Sequence, residues 1–177
     1  MRYLIDNRNN TEPSINLALE EYAIRYLDIS DDYVLLYQNN PAVILGRHQN
    51  LWEELNLNFI QKNNISINRR ISGGGTVYHD LGNLNYSFIT KFEKFKFNNY
   101  KFFTEPILTA LHSLHIKAKL NSRNDIVIGH KKISGNAQFT SKDRMVSHGT
   151  LLYQSNLDKP VGTKCKSRFQ EPKSEKN

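Results

Sequence analysis

Cysteine is nearly absent from this chain of 177 residues, which contains only Cys165. A single cysteine excludes an intrachain disulfide and any metal site built from several cysteines, and it favours a reducing, cytoplasmic location. Long apolar runs are missing too. Because no stretch reaches about 18 apolar residues, the sequence predicts no membrane-spanning helix. Residues 1–6 have the pattern of a short strand and lack the apolar core of a signal peptide.

Several familiar functional motifs are also missing. There is no H-E-x-x-H, and the six histidines show no spacing with carboxylates that is typical of a metal site. The absence of Gly-x-Ser-x-Gly leaves a serine hydrolase with little support. Neither the G-x-G-x-x-G dinucleotide pattern nor the P-loop pattern occurs, so two common ways of binding a nucleotide are excluded.

Positive charge is present, but it is concentrated at one end of the chain. The formal net charge is +7, and residues 159–177 contribute +4 from six Lys or Arg and two Glu, which leaves +3 for residues 1–158. No strip of basic residues interleaved with aromatic residues appears. The charge therefore gives weak support to a nucleic-acid binder, and an acidic protein partner fits it better.

Helical and strand periodicities alternate along residues 1–158. The predicted helices are residues 13–27, 52–63 and 98–115. The predicted strands are residues 2–6, 33–37, 42–46, 65–71, 84–89, 126–128, 133–137 and 146–153. Since strands outnumber helices, the pattern predicts an α+β fold, with helices flanking mixed or antiparallel sheets.

The sequence predicts the buried face of the first helix and the start of the last one. In the first helix Glu20 is expected on the outer side, opposite an apolar stripe of Ile15, Ala18, Leu19, Tyr22 and Tyr26. In the last helix Pro106 suggests a start near Thr104, with Thr104 as the cap.

From residue 159 onward lysine, serine, proline and glycine dominate without periodicity. We therefore expect one domain over 1–158 and a polar, disordered tail over 159–177.

The most informative segment runs from Arg69 to Asp80 and contains three consecutive glycines, Gly73 to Gly75. A glycine run fits where the backbone turns sharply or where a ligand approaches bare N–H groups. The preceding Arg70 supplies a fork of donors suited to carboxylate or phosphate. The segment predicts an anion held by backbone amides and an arginine, although the run alone also fits a flexible hairpin loop.

Six further residues, in four groups, are candidates, and each group has an ordinary alternative. Lys132 follows a turn and could reach an anion, or it could simply face solvent. Asn124 and Asp125 could serve only as turn residues. His79 with Asp80 could be an acid–base pair, although a role in orienting the loop is preferred. His148 could line a pocket or fill a strand.

Taken in order, the blocks that carry these candidates resemble the lipoate–protein ligase family. They span residues 1 to about 158. The matching blocks are residues 16–21, 41–50, 69–83, 124–126, 132–137 and 148–152. Each block is modest evidence, whereas the whole ordered series is specific.

This resemblance implies an α+β fold shared with biotin ligases and octanoyl transferases. It also implies a reaction in two steps. Lipoate and ATP, with Mg²⁺, would form lipoyl-AMP and pyrophosphate. The lipoyl group would then pass to a lysine of an acceptor domain, either in the E2 component of a 2-oxoacid dehydrogenase or in the glycine cleavage H protein.

The resemblance also assigns residues, with Lys132 as the catalytic one. Those expected to bind ATP are Arg70, Gly75, Thr76, Val77, Tyr78 and Lys132. Those expected to bind lipoate are Arg70, Ser72, Gly74, Gly75, His79, Lys132, Ala137 and His148. Supporting roles are expected for Asn83, Asn124 and Asp125, and an aliphatic tunnel is expected along Val43, Leu45 and Val77. No protein ligand is assigned to a metal, because Mg²⁺ would arrive with the nucleotide.

Two alternatives remain open. A lipoyl or octanoyl transferase on the same fold needs a nucleophilic cysteine in its pocket, and Cys165 lies in the predicted tail. A non-catalytic lipoate-binding relative is the other, because members of the family continue the catalytic domain beyond the strand that starts near His148. The sequence therefore predicts a catalytic domain that is incomplete at its C-terminal end.

Overall fold

The structure is a computed structural model that describes residues 1–156. These residues form eleven strands and four helices. The helices are α1 (Pro13–Tyr26), α2 (Leu51–Glu54), α3 (Leu57–Lys62) and α4 (Tyr100–Ser113). The strands are β1 (Arg2–Ile5), β2 (Asp32–Gln38), β3 (Ala42–Leu45), β4 (Ser66–Arg69), β5 (Val77–His79), β6 (Asn83–Lys91), β7 (Ala118–Leu120), β8 (Ile126–Ile128), β9 (Lys131–Ser134), β10 (Asn136–Ser141) and β11 (Arg144–Leu152).

The strands form three sheets, which confirms the predicted α+β class. The largest sheet has the order β1-β2-β6-β11-β10, in which β1 and β2 run parallel and the other neighbours antiparallel. A second sheet, β4-β3-β5, is also mixed. The third, β7-β8-β9, is antiparallel. None of the helices in residues 1–156 has the length and apolar character needed to cross a membrane.

Helix α1 buries the face opposite to the predicted one. Asn16 and Glu20 are fully or almost fully buried, whereas Tyr22 and Tyr26 are more than half exposed. The reason is that both buried polar groups find partners inside: the Asn16 amide donates to backbone and side-chain oxygens near Asn39. Buried polar groups that are fully hydrogen-bonded cost little. The expected inward stripe was therefore wrong.

The predicted helix over residues 52–63 is in fact two short helices. Asn50 caps α2 by accepting a hydrogen bond from the Trp52 N–H, and Asn56 caps α3 by accepting one from the Phe59 N–H. A mid-segment asparagine offers the backbone this alternative to a continuous helix. Leu55 and Ile60 point inward and pack in a buried cluster.

Helix α4 begins earlier than the proline suggested. Asn99 is its cap, accepting a hydrogen bond from the Phe102 N–H, and Pro106 lies inside the helix. Thr104 is buried and donates its hydroxyl proton to the Tyr100 carbonyl, so the cap expected at Thr104 was wrong. Among the strands, residues 133–137 are split at Gly135, and the expected tail lies outside the described residues.

Candidate active site

Arg70 organises the glycine loop that joins β4 to β5. Its Nη2 donates to the carbonyl oxygens of Gly73 and Gly75, each at 2.8 Å, and its Nε donates to Ser72 Oγ at 3.1 Å. Its Nη1 donates to the Ile44 carbonyl at 3.2 Å. Burial lowers the pKa of Arg70 to about 10, against the opposing effect of Glu20 and Tyr37. The guanidinium therefore stays charged at neutral pH and holds the loop in a defined shape.

A second loop packs against this one so closely that it requires glycine. A Cβ built on Gly46 would lie 2.0 Å from the carbonyl oxygen of Gly74. Gly74 itself has φ of 96°, a left-handed conformation that residues with side chains rarely adopt. The glycine run thus packs directly against Gly46 and the Arg70 side chain, and it is not a free hairpin loop.

Beneath the loop lies a cavity of about 160 Å³. Apolar side chains at Leu17, Ile44 and Val77 line part of it. The volume is below the roughly 300 to 1,000 Å³ of typical ligand pockets. A ligand of nucleotide size would therefore fill the cavity with one end and lie across its open mouth with the other.

The tunnel expected along β3 was assigned to the wrong face of the strand. Val43 and Leu45 pack into a core cluster with Tyr78, away from the cavity. Ile44 lines the cavity in their place. The reason is the strand period: neighbouring side chains point to opposite faces, and both faces of β3 are buried. Val77 does line the cavity, as expected.

Lys132 projects from β9 and lines the cavity. Its Nζ lies 2.7 Å from Asp125 Oδ1, and the two side chains are only 16% and 17% exposed. A Cβ built on Gly135 would lie 3.2 Å from the Lys132 Nζ, so the small residue leaves space for the ammonium group. A positive charge is thus fixed at the cavity, with Asp125 as its partner.

A buried network joins α1, the glycine loop and β11. His148 Nδ1 lies 2.8 Å from Glu20 Oε1, and His148 Nε2 lies 2.6 Å from Ser72 Oγ. The Ser87 hydroxyl donates to the other oxygen of Glu20. Burial alone would raise the pKa of Glu20, but His148, Ser87 and Arg70 outweigh it, and the pKa is lowered. Glu20 is therefore an ionised group inside the protein.

His79 is a neutral group in the cavity wall. Burial, together with Arg70 and His148, lowers the pKa of His79 to about 3. Its Nδ1 lies 3.1 Å from Asn39 Nδ2, which has protons to donate, so Nδ1 accepts and Nε2 carries the proton. Within residues 1–156 this buried Nε2 has no hydrogen-bond partner. His79 thus holds a buried N–H donor that is unsatisfied within the described part of the chain.

Asp80 serves the turn that follows, as the preferred interpretation had it. Its Oδ1 accepts from the Gly82 N–H at 2.9 Å and its Oδ2 from the Asn156 N–H at 2.8 Å. These bonds tie the end of β5 to the chain after β11. With Asp80 so engaged and His79 neutral, the structure offers no support for an acid–base pair at these two positions.

Most of the predicted site residues come together at the cavity. Those that line it are Arg70, Gly74, Gly75, Thr76, Val77, His79, Asp125, Lys132, Ala137 and His148. Four other predicted site residues do not line the cavity. Ser72 bonds His148, the Asn83 amide donates to Asn85 Oδ1, the Tyr78 side chain lies in the core, and the Asn124 carbonyl accepts from Asn136 Nδ2 at 2.9 Å.

Sequence reasoning missed several wall residues. The additional ones are Leu17, Tyr37, Ile44, Asn85, Arg123, Gly135, Asn136, Gly149 and Thr150. One signal was available in β6, where Asn83, Asn85 and Ser87 place polar groups at alternate positions of an otherwise apolar strand. Within residues 1–156, no group of three or more His, Cys, Asp or Glu side chains is placed to hold a metal ion.

A match to a known protein family shows where this chain belongs. The family model described as the lipoyl protein ligase A/B catalytic domain matches residues 12–176. The chain belongs to this family. It is 54% identical over 157 residues to lipoate-protein ligase LplJ of Bacillus subtilis and 53% identical over 154 residues to lipoate–protein ligase 1 of Staphylococcus aureus. These matches cover 89% and 87% of this chain but 47% of each relative, so the chain spans about half their length.

Solved structures of the lipoyl protein ligase family have the same fold. P. falciparum LipL1 in complex with lipoate aligns at a TM-score of 0.80 and 30% identity, over 92% of this chain and 51% of that one. A bi-partite lipoate protein ligase, described with its E2 lipoyl domain, from Thermoplasma acidophilum aligns at 0.81 and 28%, over 92% and 65%. Lipoate-protein ligase A bound with ATP aligns at 0.76 and 27%, over 93% and 70%.

Proposed function

We propose that this chain activates lipoate with ATP to give lipoyl-AMP and transfers the lipoyl group to a lysine of an acceptor protein. The observation that carries the proposal is one cavity lined by two chemically different sets of groups. Leu17, Ile44 and Val77 offer an apolar surface for an aliphatic chain. Lys132 and the backbone of the glycine loop offer positive charge and N–H donors for anions. One solved relative contains lipoate and another contains ATP, and these complexes support the binding of both substrates.

The chemistry requires two anions to meet. A carboxylate oxygen of lipoate attacks the α-phosphorus of ATP, the bond from that phosphorus to the bridging oxygen breaks, and pyrophosphate leaves with the electron pair. Fixed positive charge and aligned donors offset the repulsion and stabilise the charge that develops. Lys132 would lie between the carboxylate and the α-phosphate, and its ion pair with Asp125 keeps the ammonium in that position.

Roles follow for the glycine loop. The backbone of residues 75–78 would hold the nucleotide. Arg70 contributes its charge beside the cavity, but most of its donors already bind loop carbonyls and Ser72, so its main role is to fix the loop. His79, Ala137 and His148 line the part of the cavity proposed for lipoate. Ser72 and Asn83 support that wall from behind.

The remaining assignments are also proposals. Mg²⁺ prefers oxygen ligands and retains water, so it would be held largely by the phosphates, and Asp125 is the carboxylate at the rim that suits it. Lipoyl domains of E2 proteins are the proposed acceptors, in keeping with the Thermoplasma relative, and the glycine cleavage H protein is the second. The expected cytoplasmic location and the domain boundary at residue 158 stay predictions from the sequence.

The test is lipoate-dependent release of pyrophosphate from ATP by the purified chain. Lys132→Ala should reduce release by orders of magnitude, because no other group replaces a charge fixed at the reacting atoms. Lys131→Ala is the matched control, since that neighbouring lysine is exposed and does not line the cavity. The assignment is wrong if Lys132→Ala retains full activity or if both variants lose it equally.

A lipoate-binding protein without turnover is the second candidate. It is favoured by the lining of the cavity, since apolar side chains and a fixed positive charge suffice to bind lipoate without turnover. Lipoate or lipoyl-AMP bound tightly, with no pyrophosphate released by the wild-type chain, would identify it. The transferase alternative predicts instead a lipoyl thioester on the enzyme, and its cysteine would be Cys165, outside the described residues.

A further inference from the structure

The loop between β7 and β8 is built more tightly than a simple connection requires. The Asn121 side-chain oxygen accepts hydrogen bonds from the N–H groups of Arg123 and Asp125, at 2.8 and 3.0 Å. The Asn124 N–H donates to the Asn121 carbonyl at 3.2 Å, and Asn124 has φ of 62°. The Asn136 amide then anchors the loop to β10. The backbone at residues 121–125 is therefore held in one conformation beside the cavity.

This loop presents Arg123 at the cavity mouth. Arg123 lines the same cavity as Lys132 and Asp125, yet much of the residue is exposed to solvent. Its backbone N–H bonds Asn121, whereas its guanidinium makes no hydrogen bond or ion pair within residues 1–156. An arginine on a fixed backbone, exposed beside a cavity for which anion binding is proposed, can bind a part of the ligand that the cavity itself does not enclose.

The other cations of the site are already engaged. Arg70 holds the glycine loop, and Lys132 is paired with Asp125 at the proposed reacting centre. When the α-phosphorus is attacked, the negative charge that develops on the leaving pyrophosphate lies on the far side of that phosphorus. Since pyrophosphate must depart to solvent, this charge lies at the open mouth, where Arg123 is.

We propose that Arg123 binds the β- and γ-phosphates of ATP and the pyrophosphate that leaves. This inference rests on the proposed function and adds to it the residue that stabilises the leaving group. A guanidinium matches the oxygens of a phosphate with two parallel N–H bonds, which a lysine cannot reproduce. Arg123 then acts on adenylation alone. The later transfer of the lipoyl group releases AMP, not pyrophosphate, and does not involve it.

Affinities for different nucleotides test whether Arg123 binds the outer phosphates or affects the whole site. Titration calorimetry of the full chain with ATP, pyrophosphate and AMP should show that Arg123→Ala weakens ATP and pyrophosphate about 10- to 100-fold, as expected for a hydrogen bond to a charged group. AMP lacks the outer phosphates, so its affinity should stay unchanged. Arg123→Lys should recover part of the loss. Lys119→Ala, an exposed charge on β7 that does not line the cavity, should match wild type.

Turnover gives an independent comparison. Arg123→Ala should slow lipoate-dependent pyrophosphate release while leaving transfer from preformed lipoyl-AMP to an acceptor domain at the wild-type rate. Equal losses for ATP and AMP, or no loss for either, would overturn the proposal. A wild-type chain that binds ATP but releases no pyrophosphate would instead overturn the proposed function, and the calorimetric comparison would still decide the role of Arg123.

Discussion

Replacing Glu20 by glutamine tests whether the buried carboxylate organises the site. Glutamine keeps the volume and one acceptor oxygen but removes the charge that faces His148 and Arg70. Glu20 is 1% exposed, lies 2.8 Å from His148 Nδ1 and accepts from the Ser87 hydroxyl. The change therefore weakens hydrogen bonds to a charged group and removes electrostatic stabilisation, without opening a cavity.

The magnitude follows from those contacts. Hydrogen bonds that involve a charged group contribute about 1.5 to 3 kcal/mol each, so we expect Glu20→Gln to lower the free energy of unfolding by about 2 to 3 kcal/mol. Glu20→Ala removes the partner of His148 outright and should cost about 3 to 5 kcal/mol. Glu21→Gln is the control, because that partly exposed residue pairs with Arg25 on the surface and should cost about 0.5 kcal/mol or less.

Urea unfolding at a series of pH values is the assay. The pKa of Glu20 is lowered from 4.5 in the fold, so the unfolded chain binds its proton first as pH falls. The stabilisation by Glu20 is thus complete above about pH 4.5 and is lost as pH falls toward the lower folded pKa. The difference in stability between wild type and Glu20→Gln should shrink over that range. A difference that stays constant or grows in acid would refute the reasoning.

Two other predictions concern the cavity wall and the loop above it. The pKa of His79 is about 3 in the fold against 6.5 unfolded; NMR titration should therefore show its ring neutral down to about pH 4.5, and His79→Gln should remove up to about 1.4 kcal/mol per pH unit of the acid destabilisation between 6.5 and 3. A ring titration midpoint near 6 would contradict this. Gly46→Ala should cost several kcal/mol in thermal or urea unfolding, because its Cβ would lie 2.0 Å from the Gly74 carbonyl oxygen, whereas Gly73→Ala has nothing within 4 Å and should change stability by about 1 kcal/mol or less. Similar losses for both alanines would disprove the packing argument.

Pairing partners from distant parts of the chain explain where sequence reasoning was wrong. Glu20 was placed on the outer face of α1 because it lies opposite the apolar stripe that helical spacing predicts. It lies inside because His148, 128 residues later, and Ser87, 67 residues later, come to meet it. Periodicity within one helix contains no information about such partners, and the same is true of Asn16.

The local sequence pattern also could not show which face of the buried strand β3 lines the cavity. β3 reads as an unbroken apolar run, so its pattern does not say which side faces the cavity. Pairing with β4 and β5, and packing of Leu55, Ile60 and Ile65 on one side, places Val43 and Leu45 in the core. Ile44 is left to line the cavity, and the predicted lining was wrong for two residues of three.

The sequence by itself determined the α+β class, most of the helices and strands, the glycine loop beside Arg70 and the lysine that follows a turn. These features depend on local periodicity, on turn residues and on ordered blocks of residues, all of which are readable in one dimension. Only the tertiary structure decided that Arg70 binds its own loop, that Glu20 and His148 are paired inside, and that Arg123 stands at the mouth. The physical reason is that hydrogen bonds and burial depend on distances across sheets and loops, and folding alone sets those distances.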